Sequence, residues 1–392
     1  MVERIRARRL LTETGWREAH WLEHDNGCIT GIGPLEWNEA IFDVDLLVPA
    51  LIDGHVHGGH GVDVMDEAPQ ALGIISLGKA SEGVGAFLAT TVTAPLAALE
   101  KALARVALAT ETALPGAELL GSYLEGPYFT PSNKGAHEPA LFRKLTLPEL
   151  DHLMACSCGT LKVVALAPEK SGAMAAITHL HQHGVRVMLG HSAADHDTTQ
   201  AAFAAGADGV VHCFNGMTGL HHREPGMVGA ALVHPHAWLE LIADGHHVHP
   251  TVLRLCHCCA GNRLLLITDA MRATGMPDGF YQLGEYKVEM KDGVVRTEQG
   301  GLAGSTLTLL GAVRNMVLLA GVPLADAIHQ ASLAPARWLG IDDRLGSLVV
   351  GKQANLLALD ERLQQQCIWV AGRHIDHSLF PLPHFSPCSK DI

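Results

Sequence analysis

Side chains that bind metal ions lie at the ends of several short apolar runs in this sequence. His55 and His57 end the run that begins at Leu51. On an extended strand, residues i and i+2 point to the same side, so both imidazoles can reach one ion. Four further runs end in Glu125, His191, His212 and Asp269. Imidazole and carboxylate ligands suit Zn²⁺, with Fe²⁺ or another divalent ion as alternatives. The sequence therefore predicts a site for one or two divalent ions.

These residues need a fold that brings them together. Short aliphatic or β-branched runs alternate with Ala- and Leu-rich stretches that are typical of helices. The ends of successive runs are about 21 to 44 residues apart, which suits repeated strand–helix units. Eight units predict a TIM-like (β/α)8 barrel, in which the carboxyl ends of all strands meet on one face. The eight runs are Leu51–His57, Phe87–Thr93, Leu119–Glu125, Val163–Glu169, Val185–His191, Gly209–His212, Leu239–Asp244 and Leu264–Asp269.

The two ends of the chain have a different pattern from the middle. Residues 1–48 and 343–376 contain short stretches of alternating polarity, separated by turn residues such as Asn26 and Gly27. We expect both segments to combine into one small β-sandwich domain. The barrel would then occupy residues 49–342, and residues 377–392 would form a C-terminal tail.

The composition excludes several classes of partner. The 392 residues carry a net charge of −13, which disfavours broad binding to nucleic acids or anionic membranes. The chain lacks an uninterrupted apolar run of 18 residues, and its N-terminus lacks the apolar segment of a signal peptide. Its 9 cysteines are irregularly spaced, as in reduced proteins. We therefore expect a cytoplasmic protein with no nucleic-acid or membrane partner.

Longer motifs point to a known family. The sequence resembles the metal-dependent amidohydrolase superfamily and, over nearly its whole length, the N-acetylhexosamine-6-phosphate deacetylases within it. The segments that carry this resemblance are Leu124–Pro139, Gly190–Ser192, Asn215–Gly226, Leu241–His249, Thr268–Ala270 and Leu302–Thr308.

The resemblance implies hydrolysis of the N-acetyl group of an N-acetylated hexosamine 6-phosphate. Glu125, His191 and His212 would bind the catalytic metal ion. His55 and His57 could hold a second ion, with Glu125 as the bridging ligand. Because the fourth run ends without a lysine, the sequence also argues against amidohydrolases that bridge two metals through a carbamylated lysine.

Two catalytic roles complete this expectation. Asp269 would take a proton from the attacking water and then pass it to the departing amine. By resemblance, His137 would help the metal to polarise the acetyl oxygen. The residues expected to contact the substrate are Ala136, Asn215, Gly216, Arg223, His247, Leu302, Ala303 and Gly304.

The resemblance also suggests the substrate and the oligomer. Arg223 offers a planar guanidinium for the phosphate, assisted by His247 and the backbone N–H groups of Asn215 and Gly216. Arg223 would come from the neighbouring subunit of a homodimer. Two segments, Ser122–Pro131 and His212–Leu220, look most like the N-acetylgalactosamine branch of the family. We therefore expect N-acetyl-D-galactosamine 6-phosphate as the substrate.

Three alternatives stay open at this point. The first is N-acetyl-D-glucosamine 6-phosphate, which differs from the expected substrate only in the configuration at C4. The second is a different amide substrate, such as an acylated amino acid or a cyclic ureide. The third is an inactive barrel that serves as a binding or regulatory module, which the full set of ligand-type residues argues against.

Overall fold

The computed structural model describes residues 2–36 and 41–376 of the chain. Within these ranges the strands are β1 (Glu3–Thr12), β2 (Gly15–Asp25), β3 (Cys28–Pro34), β4 (Val44–Pro49), β5 (Leu51–Val56), β6 (Gly58–Gly59), β7 (Val62–Asp63), β8 (Val84–Thr90), β9 (Glu118–Glu125), β10 (Leu161–Leu166), β11 (Arg186–Leu189), β12 (Gly209–Val210), β13 (Trp238–Ile242), β14 (Leu264–Ile267), β15 (Gly279–Leu283), β16 (Tyr286–Lys291), β17 (Val294–Thr297), β18 (Leu356–Leu359), β19 (Gln365–Val370) and β20 (Arg373–His374).

Helices follow most of the strands in the middle of the chain. They are α1 (Ala71–Ser81), α2 (Leu96–Thr110), α3 (Leu147–Cys156), α4 (Ala173–Gln182), α5 (His196–Ala204), α6 (Gly226–Val233), α7 (Pro250–Ala260), α8 (Leu309–Leu318), α9 (Leu324–Gln330) and α10 (Leu333–Leu339). Short 3-10 turns span Pro131–Asn133, Pro139–Leu141 and Gly261–Arg263. Among the described residues, no helix combines the length and apolar character needed to cross a bilayer.

Eight strands form one parallel sheet in the order β14-β13-β12-β11-β10-β9-β8-β5. The two end strands also meet, because Val56 forms a parallel bridge with Ala270 and the Asp269 N–H donates to the His55 carbonyl over 3.1 Å. Each of the eight apolar runs overlaps one of these strands. The structure therefore confirms the predicted (β/α)8 barrel.

Strand and helix sequences differ here because they bury different surfaces. A central barrel strand packs on both faces, so β8 is buried along its whole length. A surrounding helix packs on one stripe, and in α2 the buried positions include Leu99, Leu103 and Val106, at the spacing of successive turns. Because the eight strands are parallel, their polar carboxyl ends lie together at the barrel mouth.

The two chain ends build a second sheet. Its seven strands run β20-β19-β18-β4-β1-β2-β3, so C-terminal β18 pairs directly with N-terminal β4. Hydrogen bonds join all seven strands into one continuous sheet. Apolar side chains of this sheet, including Leu10, Leu47 and Trp369, form a hydrophobic core separate from that of the barrel. The predicted tail at residues 377–392 lies outside the described residues.

A three-stranded antiparallel sheet, β15-β16-β17, lies between β14 and α8 and is absent from the sequence prediction. Its apolar side chains pack on Met271 and Ala303. The signal for it was present, since Asp292 and Gly293 form a tight turn with positive φ between two alternating runs. This sheet places Leu283 at the barrel mouth.

Candidate active site

The five predicted ligand residues lie at the carboxyl ends of four barrel strands. His55 is the last residue but one of β5 and His57 lies just beyond that strand, Glu125 ends β9, and His191 and His212 follow β11 and β12. His191 and His212 have positive φ angles of 46° and 27°, as does Asp269 after β14 at 51°. Such backbone is uncommon for residues other than glycine and clusters at functional sites.

Glu125 lies at the centre of this group. Its Oε1 is 3.1 Å from His212 Nε2, 3.5 Å from His191 Nε2 and 3.6 Å from His55 Nε2. Its Oε2 is 3.2 Å from His57 Nε2. These atoms form two compact ligand groups that share the Glu125 carboxylate, one with His55 and His57, the other with His191 and His212. The structure therefore brings together all five predicted metal ligands.

Hydrogen bonds at the Nδ1 atoms of His191 and His212 fix the Nε2 atom of each ring towards Glu125. His191 Nδ1 donates to the Asn133 carbonyl over 3.0 Å, and His212 Nδ1 to the Asn215 carbonyl over 3.1 Å. Each Nε2 consequently presents a lone pair inward, and these two Nε2 atoms are only 3.0 Å apart. Two lone pairs at this separation repel each other unless a cation lies between them, so the donor set fits a divalent ion.

Two glycines permit this arrangement around the His191 ring. A Cβ on Gly135 would lie 2.8 Å from His191 Cε1, and one on Gly216 would lie 2.9 Å from His191 Nδ1. Both glycines also have positive φ angles, of 55° and 60°. Glycine therefore stands at both positions where the backbone passes close to the His191 ring.

The buried ionisable groups of the site shift one another's pKa values. Burial by itself raises the pKa of Asp269, but the hydrogen bond from His57 and the charges of His55 and His57 lower it to about 2. Burial alone lowers the pKa of His57, yet Asp269 and Glu125 outweigh it and raise this pKa to about 9. For His191, burial lowers the pKa to about 4. In the metal-free protein at neutral pH, Asp269 is a carboxylate and His57 an imidazolium.

We expect metal affinity to weaken as the pH falls from 9 to 6. Below pH 9 the metal-free His57 is protonated, and its Nε2 must lose that proton before it can bind an ion. The apparent dissociation constant for the second ion should rise about tenfold per pH unit for each proton displaced. Titration of metal-free protein with Zn²⁺ in buffers of different ionisation enthalpy measures the protons released. An affinity independent of pH would contradict this assignment.

A cavity of about 260 Å³ lies above the ligand group. Its walls are formed by Val92, Gly135, Ala136, His137, Asn215, Gly216, Ile242, His247, Leu283, Leu302 and Gly304, and its floor by His57, Glu125, His191, His212 and Asp269. Sequence reasoning missed Val92, Gly135, Ile242 and Leu283. Apolar wall residues like these carry no chemical signature in a sequence.

The predicted substrate residues divide into three groups. Ala136, Leu302 and Gly304 line the cavity, whereas Ala303 is buried beneath it against the three-stranded sheet. Arg223 is exposed and outside the cavity, with Nη1 2.7 Å from His222 Nε2. A single chain therefore does not bring Arg223 to the site.

Two of the groups expected to bind the phosphate already form hydrogen bonds within the chain. The Asn215 N–H, expected to bind phosphate, instead donates to the His212 carbonyl over 3.0 Å because both belong to one tight turn. His247 Nδ1 donates to Asp244 Oδ2 over 2.6 Å, which leaves its Nε2 for the cavity that it lines. Asp244 ends the seventh apolar run, yet sequence analysis gave it no role.

His137 differs from the other imidazoles in its hydrogen-bonding pattern. Its Nδ1 accepts the Thr93 N–H over 3.4 Å and lies 2.8 Å from Thr93 Oγ1. An Nδ1 that accepts a backbone N–H carries no proton, so the neutral ring carries its proton on Nε2. That Nε2 lies 3.3 Å from Glu125 Oε2. His137 thus offers a donor to the site where the ligand imidazoles offer lone pairs.

Comparisons with known proteins show what this chain is similar to. The amidohydrolase family matches residues 46–385. N-acetylgalactosamine-6-phosphate deacetylase of Escherichia coli O157:H7 is 61% identical over 95% of this chain and 99% of its own length. N-acetylglucosamine-6-phosphate deacetylase of Vibrio furnissii is 52% identical over 94% of both chains. A variant of N-acetyl-D-glucosamine-6-phosphate deacetylase from Mycobacterium smegmatis, solved with N-acetyl-D-glucosamine-6-phosphate, superposes with a TM-score of 0.90 at 33% identity, covering 95% of this chain and 99% of that one.

Proposed function

This chain belongs to the amidohydrolase family, and from that premise we propose that it hydrolyses the N-acetyl group of N-acetyl-D-galactosamine 6-phosphate to D-galactosamine 6-phosphate and acetate. The observation that carries the proposal is that four ligand imidazoles and His137 surround the Glu125 carboxylate beneath a cavity, with Asp269 beside His57. The relative that is 61% identical over nearly the whole chain supports the choice of substrate.

We assign the catalytic ion to Glu125, His191 and His212, and a second ion to His55 and His57 with Glu125 shared. Zn²⁺ is the proposed ion because its preferred ligands are the ones present, and Fe²⁺ or another divalent ion is the alternative. When bound, such an ion lowers the pKa of water towards 7 and draws electron density from the acyl oxygen.

Asp269 is the proton carrier in this proposal. Its carboxylate lies on the cavity floor beside the ligand group, with Oδ1 3.2 Å from His57 Nε2, and accepts a proton from the water whose oxygen attacks the acetyl carbon. It then delivers that proton to the sugar nitrogen as the carbon–nitrogen bond breaks. Without this proton the sugar would have to leave as an amide anion, which is a very poor leaving group.

His137 stabilises the negative charge that develops on the acetyl oxygen. Its Nε2–H faces the ligand group, and the Thr93 N–H holds the ring in that tautomer. A fixed donor in a buried site needs no reorganisation as charge develops, which makes it more effective than water. This assignment supports the role expected for His137 from the family resemblance.

The phosphate contacts need two chains in this proposal. His247 faces the cavity from one subunit, while Arg223 of the partner subunit would complete the site in a homodimer. Ala136, Leu302 and Gly304 would contact the sugar. The dimer and the cytoplasmic location expected from the sequence remain predictions.

Replacing Arg223 by Ala is expected to raise KM for the phosphorylated substrate about 10- to 100-fold, the effect of losing hydrogen bonds to a charged group. The same variant should leave hydrolysis of the unphosphorylated N-acetyl sugar unchanged. Arg17→Ala, on the chain-end sheet, serves as the matched control and should leave KM unchanged. Equal losses on both substrates would contradict a phosphate contact.

The proposed function is tested by acetate release from the galactosamine and glucosamine 6-phosphate substrates, compared as kcat/KM with metal-loaded enzyme. A clear preference for the galacto epimer supports the proposal. A gluco preference favours the second candidate, which the 52% identity to the Vibrio furnissii enzyme keeps open. Activity on neither substrate overturns the proposal.

A further inference from the structure

Glu240 is a buried carboxylate that the proposed reaction does not use. It lies on β13 inside the barrel, has 0% of its surface exposed, and is not among the residues that line the cavity. Its Oε2 accepts the His55 Nδ1–H over 3.0 Å and the His212 N–H over 3.4 Å. Because burying a carboxylate costs several kcal/mol unless a positive charge lies nearby, Glu240 needs a charged neighbour.

His55 supplies the only ion pair of Glu240 within the described ranges, residues 2–36 and 41–376. His191 and His212 pair their Nδ1 atoms with neutral carbonyls, whereas His55 pairs its Nδ1 with this carboxylate. A carboxylate at this position keeps the Nδ1 proton in place, directs the Nε2 lone pair inward and makes the imidazole a stronger ligand.

We propose that Glu240 is a positioning residue that sets the affinity of the ion held by His55, His57 and Glu125 independently of the other ion. This inference rests on the metal dependence in the proposed function. It goes beyond that function because it assigns a residue that sets the metal affinity of one ligand group and not of the other. In the group of Glu125, His191 and His212, the Nδ1 atoms of both imidazoles bond to neutral backbone carbonyls. Glu240 bonds to this group only through the backbone N–H of His212.

The test is the replacement Glu240→Gln, measured by metal content and by Zn²⁺ affinity in competition with a chromophoric chelator. We expect wild-type protein to bind two ions. In the variant, one affinity should weaken about 10- to 100-fold, the usual effect of losing such a partner, and the other should stay unchanged. Glu118→Gln, on β9 at the opposite end of the barrel, is the control and should leave both affinities unchanged.

A second variant covers the case in which a buried amide at position 240 disrupts folding. Glu240→Met removes the charge and retains similar volume, and although the His55 Nδ1–H and the His212 N–H lose their acceptor, the Met side chain buries no polar group of its own, so we expect it to fold and to lose the same ion. The thermal unfolding midpoint in the presence of a chelator verifies folding. In a His57→Asn background, where that ligand group is incomplete, Glu240→Gln should have no further effect on Zn²⁺ affinity.

The outcomes separate this inference from the proposed function. Wild-type protein that binds no divalent ion would overturn the proposed metal-dependent function itself. Protein that binds two ions with affinities that Glu240→Gln leaves unchanged, or weakens equally, would overturn the role of Glu240 alone. An effect of Glu240→Gln that persists in the His57→Asn background would also overturn it.

Discussion

Replacing Asp269 by Asn is expected to lower kcat by about 10²- to 10⁴-fold, the range for loss of a positioned acid–base group. The amide of Asn neither accepts a proton from water nor delivers one to the sugar nitrogen. KM should change little, because Asp269 lies on the cavity floor among the ligand residues, away from the expected phosphate contacts. Steady-state kinetics of acetate release measures both parameters.

Metal content distinguishes this effect from a loss of the catalytic ion. We expect Asp269→Asn to retain the ion at Glu125, His191 and His212, since these three form a compact group without it. Asp197→Asn, a fully exposed carboxylate on α5, is the matched control and should leave kcat unchanged. Retention of wild-type kcat in Asp269→Asn would remove the acid–base role of this residue.

Replacing Lys79 by Met is expected to destabilise the protein by about 3–5 kcal/mol, because it leaves two buried carboxylates without their cation. Lys79 is 1% exposed on α1, with Nζ 2.8 Å from Glu82 and 3.4 Å from Asp53. Burial by itself lowers the pKa of Lys79, but Glu82 and Asp53 outweigh it and raise this pKa above its usual value. The amine is therefore charged at neutral pH.

Urea denaturation followed by circular dichroism measures this loss. The control is Lys101→Met on α2, whose ion pair with Glu67 is exposed on both sides, at 63% and 72%. Exposed pairs contribute about 0–1 kcal/mol, so the control should unfold close to wild type. If Lys79→Met proved as stable as Lys101→Met, the buried group would not depend on this cation.

Asp53 also links the buried ion pairs of Lys79 to the strand end that precedes Asp269. Its Oδ2 accepts the Thr268 hydroxyl over 2.7 Å, and its Oδ1 accepts the Thr268 N–H over 3.3 Å. Thr268 directly precedes Asp269, whose backbone has a positive φ. The buried charges therefore support the strand end that carries Asp269, the proposed acid–base residue, and loss of Lys79 should reduce activity as well as stability.

The sequence by itself predicted the barrel and the ligand-type residues that gather at its mouth. Strand–helix repetition is a local pattern, and in a parallel barrel the carboxyl end of every strand reaches the same face. Ligand-type residues at the strand ends, such as Glu125 and His212, are therefore brought to that face. The family motifs added His137, whose position in a loop has no such rule.

Tertiary structure alone decided the partners of these ligands. Glu240 is 185 residues from His55 in the sequence, and Thr93 is 44 residues from His137. Which side chains meet inside a barrel depends on how neighbouring strands pack and how loops fold over the mouth. A single sequence contains no signal for such contacts, so it shows which imidazoles gather but not which nitrogen of each ring carries the proton.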